Sequence, residues 1–224
     1  MALNLPTLGR LEIISVTFGS KDYTSYVRDA FAKALALNPR IQRWAFSAST
    51  SFFGEDPNPN IRKFGAVVCR NTIPLQNEAW STFKRSSADE GQNLPLKFSG
   101  QDDTVGQLPR VPELSQNATF VIAAFWWTQD VTSQAAAAVR NATYSPSKPT
   151  TITVGTSSLS SPAPSVPTAA RRIFSWAYGL LTGVGWRFGV FVANPSVSDT
   201  ADWTVELPVA FPPLGLPIYQ SKCN

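Results

Sequence analysis

The chain has 224 residues, 43% of them hydrophobic and only 15% charged, with 19 basic against 15 acidic side chains and no histidine. That apolar share excludes a disordered chain. The missing histidine excludes Ser-His-Asp and Cys-His hydrolases and most zinc sites, because imidazole is the commonest general base and transition-metal ligand. Carboxylate, Tyr or Lys chemistry stays open, and the overall pattern leans away from an enzyme.

The basic residues form no run and alternate with acids. No concentrated basic face for nucleic acid is therefore expected. Cys69 and Cys223 make no disulfide framework, and Cys69 in the apolar run AVVCR reads as a buried thiol. No stretch reaches the roughly 18–20 apolar residues of a membrane span. The start MALNLPTLGR lacks the apolar region of a signal peptide. The expectation is a soluble, cytoplasmic chain with no cofactor and no membrane partner, secretion remaining open if a leader was removed.

In chain order, Leu11–Phe18 is apolar and β-branched, a predicted strand, and Gly19–Asp22 is a turn. Over Tyr23–Ala36, residues Tyr26, Val27, Ala30, Phe31 and Ala34 recur at helical spacing, and Asn38-Pro39 ends the helix. Ile41–Ser49 reads as a strand, Phe52–Asn60 as a turn-rich loop and Phe64–Arg70 as a strand. Asn71–Trp80 is expected to be loop and edge. Asn93–Ser99 and Gln107–Val111 carry prolines and are expected to be short or edge strands. Further on, Phe120–Trp127 predicts a strand, Thr128–Asp130 a turn and Val131–Arg140 a helix. Strands are predicted at Thr150–Thr156, Arg172–Tyr178, Gly183–Ala193 and Trp203–Val209, before a Pro-rich tail.

Shifting the chain by 108 residues brings Ile14 onto Ile122, Asp22 onto Asp130, Thr24 onto Thr132, Ser25 onto Ser133 and Ala30 onto Ala138. With one inserted residue, Arg62-Lys63 meets Arg171-Arg172, and Leu94-Pro95 and Leu207-Pro208 close both halves. The shared order of strands and turns predicts an all-β fold with short helices: two tandem β-sandwich-like modules related by internal duplication, residues 1–112 and 113–224. In each copy the Asp of Asp-x-Thr is expected to accept from backbone N–H groups, a structural cap rather than a catalyst.

Phe18-Gly19, Asp22-Tyr23-Thr24, then Gly54, Asp56-Pro57, Pro59 and Lys63 form a pattern in the first half. The pattern resembles a β-rich module of unknown function found at the end of a DnaJ-type cochaperone and in assorted fungal and bacterial proteins. Glu55 is an insertion relative to that pattern, and Asn60 replaces a Gly. The second half keeps Asp130-Val131-Thr132 but has Ser161-Pro162-Ala163-Pro164 in place of the Asp-Pro loop. The resemblance implies a β-sandwich-like fold and no established activity, so it supplies no catalytic residues.

Two sets of candidate site residues stand out. Asp56, Asn58 and Asn60 present oxygens at alternate positions, as at the opening of a calcium loop. The interleaved prolines and the absence of Gly and Glu at the later ligand positions weigh toward a plain turn. Five of the seven tryptophans lie in the second half. Trp126 and Trp127 are neighbours, so one ring should reach solvent, the other module or a ligand. Trp127, Trp186 and Trp203, with Arg187, Asn194, Asp199 and Asp202 as polar partners, make a candidate carbohydrate site in which flat apolar rings stack on sugar faces. The functional expectation is a non-enzymatic, lectin-like or defence-type binding protein, with two copies giving avidity. Two other readings remain. One is a structural, self-assembling homo-oligomer using the apolar second half as its interface. The other is a histidine-independent enzyme or small-molecule binder; membrane insertion by the apolar, Gly-rich run Gly179–Gly189 ranks after both.

Overall fold

The structure, a computed structural model, describes residues 10–39, 41, 43–75, 78–97, 118–141, 150–154, 174–182, 185–192, 203–207 and 221–222. Among them strands dominate and the helices are short, so the fold is mostly β. No helix of the described residues is long and apolar enough to cross a membrane. The expected strand at Gln107–Val111 lies outside the described residues.

Strand β1 (Arg10–Phe18) turns at Gly19 and returns as β2 (Lys21–Asp22). Gly19 has φ 56°, a left-handed conformation that glycine enters without a Cβ penalty. Helix α1 (Thr24–Leu37) buries Thr24, Val27 and Phe31, the spacing that lays one stripe on a sheet. Strand β3 (Arg43–Ser47) leads into the single-turn helix α2 (Thr50–Phe53), where loop was expected. Ser49 starts α2 by accepting from the Phe52 N–H, and Gly54, at φ 79°, stops it.

Strands β4 (Phe64–Leu75) and β5 (Glu78–Asp89) pair antiparallel along their whole length, from Phe64↔Asp89 to Leu75↔Glu78. The sequence predicts the strand only over Phe64–Arg70, with loop and edge over Asn71–Trp80 and no element over 81–89. β5 is polar and charged, and what makes it a strand is the main-chain ladder to β4 rather than an apolar pattern of its own. β6 (Asn93–Lys97), short as its proline requires, pairs with β3.

The second half runs β7 (Ala118–Trp126), β8 (Gln129–Asp130), α3 (Thr132–Asn141), β9 (Thr150–Val154), β10 (Phe174–Thr182), β11 (Gly185–Val192) and β12 (Trp203–Leu207). Its sheet has the order β11-β10-β7-β8, and β12 pairs with β9. The first-half sheet has the order β5-β4-β1-β2. A last strand, β13 (Ser221–Lys222), runs parallel to β5 at Lys84 and Arg85. The Pro-rich tail, expected to belong to the second half, therefore ends on the sheet of the first.

One face of the first sheet carries Leu11, Ile13, Val16, Phe18, Val67 and Cys69 against Val27 and Phe31 of α1 and Phe46, Leu94 and Leu96 of β3 and β6. The pairing of β1 with β4 slips between Ile13 and Ser15, so Ile14 is an extra residue. That bulge lets Leu11 and Ile13 share a face with Val16 and Phe18, which strict alternation would forbid. The opposite face buries Ser15, Thr17, Phe64, Ala66 and Val68. The second half packs near them, with β1 against β10 and β11, and β4 and β5 against β7.

Candidate functional site

Each half carries the same clasp at its Asp-x-Thr turn. In the first, Asp22 Oδ1 accepts from the Thr24 N–H at 2.8 Å and from its hydroxyl at 2.5 Å. Thr24 Oγ1 in turn accepts from the Val16 N–H at 3.0 Å, and Tyr23 N–H donates to the Val16 carbonyl. In the second, Asp130 Oδ1 accepts from the Thr132 N–H at 3.0 Å and its hydroxyl at 2.6 Å. Thr132 Oγ1 accepts from the Ala124 N–H at 3.0 Å, and Val131 N–H donates to the Ala124 carbonyl. These aspartates, each through its Oδ1, tie a short return strand to the start of a helix.

Above the first clasp sits the Asp-Pro-Asn-Pro-Asn loop, gathered around Lys63. This lysine is 3% exposed. Its Nζ lies 3.0 Å from Asp56 Oδ1 and 3.3 Å from Glu90 Oε1, and it donates to the Ile61 carbonyl at 2.7 Å and the Asn58 carbonyl at 3.3 Å. Of the three residues expected to suit a calcium ion, Asp56 gives a carboxylate oxygen and Asn58 its main-chain carbonyl to an ammonium that the chain itself supplies. Asn58 is buried; its side chain accepts from the Ser20 N–H at 2.9 Å and donates to the Ser20 hydroxyl at 2.8 Å. Asn60 is exposed at φ 63°. No group of three or more Cys, Asp or Glu among the described residues could hold a metal ion.

Burial pushes the Asp56 carboxyl up, but the Lys63 ammonium and the Asn58 N–H outweigh it and hold it below its ordinary value. Glu55 is held low first by Lys21, 2.5 Å away, and then by Tyr23. Burial, with Glu55 and Asp56 alongside, pushes the Tyr23 hydroxyl well above the usual range, and that oxygen makes no hydrogen bond of regular geometry. Tyr23 itself packs among Phe18, Tyr26 and Phe53.

Other carboxylates are also joined to cations: Asp89 to Arg62, Glu12 to Arg70 at 2.5 Å and Asp130 to Arg85. A general acid needs a carboxyl raised toward neutrality. Here the shifts run downward, and the cluster is suited to holding a loop rather than moving a proton.

Of the expected ligand residues, Trp127 is 4% exposed and its ring lies 5.5 Å from that of Phe64. Its indole faces the first half of the chain, not solvent, and Trp126 is buried as well. Trp186 and Arg187 lie on β11, in register with Leu181 and Leu180, and Trp203 opens β12 opposite Val154. Asn194, Asp199 and Asp202 lie outside the described residues, as does any cleft they would share. What sequence reasoning missed are the roles of Glu90, read there only as a solvated loop carboxylate beside Asp89, and of Lys63. The lysine was marked only as part of the resemblance, and nothing in the sequence links it to a glutamate 27 positions on. No family model, no curated protein and no solved structure matches the chain.

Proposed function

We propose that the chain is a non-enzymatic binding protein made from one β-sandwich-like module written twice, residues 1–112 and 113–224, with a carbohydrate as its ligand. The observation that carries the reading is the recurrence of one local architecture at a shift of 108 residues. Both clasps use the same atoms, and the bulge at Ile14 is matched by one at Ile122, where Ala177 pairs with Ala123 and Tyr178 with Val121. The strand orders β5-β4-β1-β2 and β11-β10-β7-β8 also correspond element by element. A common origin with the cochaperone-terminal module fits the same pattern.

The binding reading is supported by the carboxylates' engagement with Lys and Arg, which leaves the described part of the molecule to recognise rather than transform a ligand. With Trp127 committed to the contact between halves, the sugar platform falls to Trp186 and Trp203, with Arg187, Asn194, Asp199 and Asp202 as hydrogen-bonding partners. A glycan array followed by calorimetric titration tests this. At least one neutral glycan should bind, and Trp186→Ala or Trp203→Ala should weaken it by about tenfold or more, the worth of one stacked ring. Absence of binding to every glycan would remove the carbohydrate reading.

A further inference from the structure

The exposed large apolar side chains among the described residues are Tyr26, 46% exposed, and Leu37, 89% exposed, and both belong to α1. Ala30 and Ala34 between them are half-buried, and Asp29 and Lys33 are exposed. At 3.6 residues per turn, Tyr26, Ala30 and Leu37 fall within about 40° of one another, roughly 100° away from the stripe that carries Val27 and Phe31. Asp29 and Lys33 lie toward one flank of this second stripe, Ala30 and Ala34 toward the other. Tyr26 also serves its own half, its hydroxyl donating to the Phe52 carbonyl at 2.7 Å and its ring packing on Phe52 and Phe53; the part of it left in water, and Leu37, go beyond what packing α1 on the sheet through Val27 and Phe31 requires. The corresponding helix α3 has Gln134, Ala137 and Asn141 where α1 has Tyr26, Asp29 and Lys33, so the stripe is not a requirement of the module.

The stripe is complementary to itself. We propose that two copies of this chain pair through it, α1 against α1, antiparallel about a two-fold axis near residues 31–32. Tyr26 of one copy then meets Leu37 of the other, large end against large end. Ala30 meets Ala34 on one flank, where small side chains let the helices approach closely. On the other flank Asp29 meets Lys33, twice per dimer. Antiparallel helices bring like flanks together, which places these opposite charges face to face; a parallel pair would not. A two-fold contact uses the same patch on both subunits, as the symmetry of these residues requires. One helix pair buries less than a standard interface, so the dimer is weak and concentration-dependent. The pairing is independent of what the second half binds.

Sedimentation equilibrium on the full chain from about 1 μM to 1 mM, a range spanning about 4 kcal/mol of association, reads it. The native chain should pass from monomer to dimer across that range. Leu37→Glu, at a position too exposed to disturb folding, should weaken association by about tenfold or more. Asp29→Lys and Lys33→Asp should each weaken it about threefold or more, and the two together should restore it to within about twofold of the native chain. A native chain monomeric throughout, a dimer indifferent to Leu37→Glu, or a double variant as weak as the singles would each overturn the proposal.

Discussion

The two hairpins share a backbone and differ in what covers the turn. At the first, Gly19 lies under the loop of its own half: a Cβ there would sit 2.4 Å from Asn58 Oδ1 and 3.0 Å from Pro57 Cγ. At the second, the same position is Trp127, at φ 54°, and its indole packs on Phe64 of the other half. Ser87 of β5 donates to the Thr128 carbonyl of that turn at 2.8 Å, and Arg85 of β5 holds Asp130. One turn is thus sealed from within and the other is the place where the halves meet. The clasp, common to both, dictates the left-handed turn residue. A bulky side chain there costs on the order of 1–3 kcal/mol, and the burial of the indole, worth about 3–5 kcal/mol on truncation, offsets it.

The comparison breaks most visibly if the two turn residues are exchanged in kind. Trp127→Gly relieves the backbone but strips the contact with Phe64, and we expect a net loss of about 2–3 kcal/mol in urea unfolding, the indole's burial outweighing the strain. Gly19→Ala should cost about 2 kcal/mol for a different reason: its methyl displaces the Asn58 side chain in addition to the left-handed penalty. A neutral or stabilising Trp127→Gly would mean that the indole holds nothing together.

Lys63 sharpens the contrast, because only the first turn has a described loop locked over it. Lys63→Met leaves Asp56 and Glu90 without their shared cation. Breaking a fully buried pair costs about 3–5 kcal/mol; here the carboxylate side chains keep 35% and 30% of their surface in water, and about 2 kcal/mol is expected. The pH dependence follows from Asp56. Its folded pKa is depressed below the ordinary 3.8, so its contribution is complete above that value and is lost as the pH falls through the lower folded value. The native chain should therefore lose stability below about pH 4, and Lys63→Met should flatten that limb. An acid limb unchanged in the variant would show that the lysine does not hold the carboxylate.

What was legible in the sequence divides along the same physical line. β1, α1, β7 and α3 were readable because apolar spacing and the Asp-x-Thr turn act within about fifteen residues. α2 was readable in principle from Ser49 and Gly54, but the run of turn formers after it hid four helical residues. β5 was not, since its strand state comes from β4 and β13 rather than from an apolar face. Among the site residues, the oxygens of Asp56 and Asn58 stood out, but their partner did not: whether an ammonium or a metal fills such a loop is decided by the approach of Lys63 and Glu90 in space. Trp127 misled because tryptophan signals a strand residue, and only the demand of the clasp places it in a turn.

The smallest effect concerns the aspartates themselves. Asp22→Ala and Asp130→Ala remove the same acceptor from the same two donors, the N–H and hydroxyl of the following threonine. The loss common to both should be about 1 kcal/mol, the usual net worth of an intramolecular hydrogen bond. Asp130 does one thing more, since it carries the ion pair with Arg85 between the halves, and Arg85 Nη1 is already buried without a partner. Removing Asp130 strands more of that guanidinium, so Asp130→Ala should exceed Asp22→Ala by about 1 kcal/mol. Adding Arg85→Met should close the gap, because the stranded charge goes with it and only the common loss remains. Equal costs for the two aspartates would mean that the pair with Arg85 contributes nothing, and the junction would then rest on Trp127, Phe64 and the Ser87 hydroxyl.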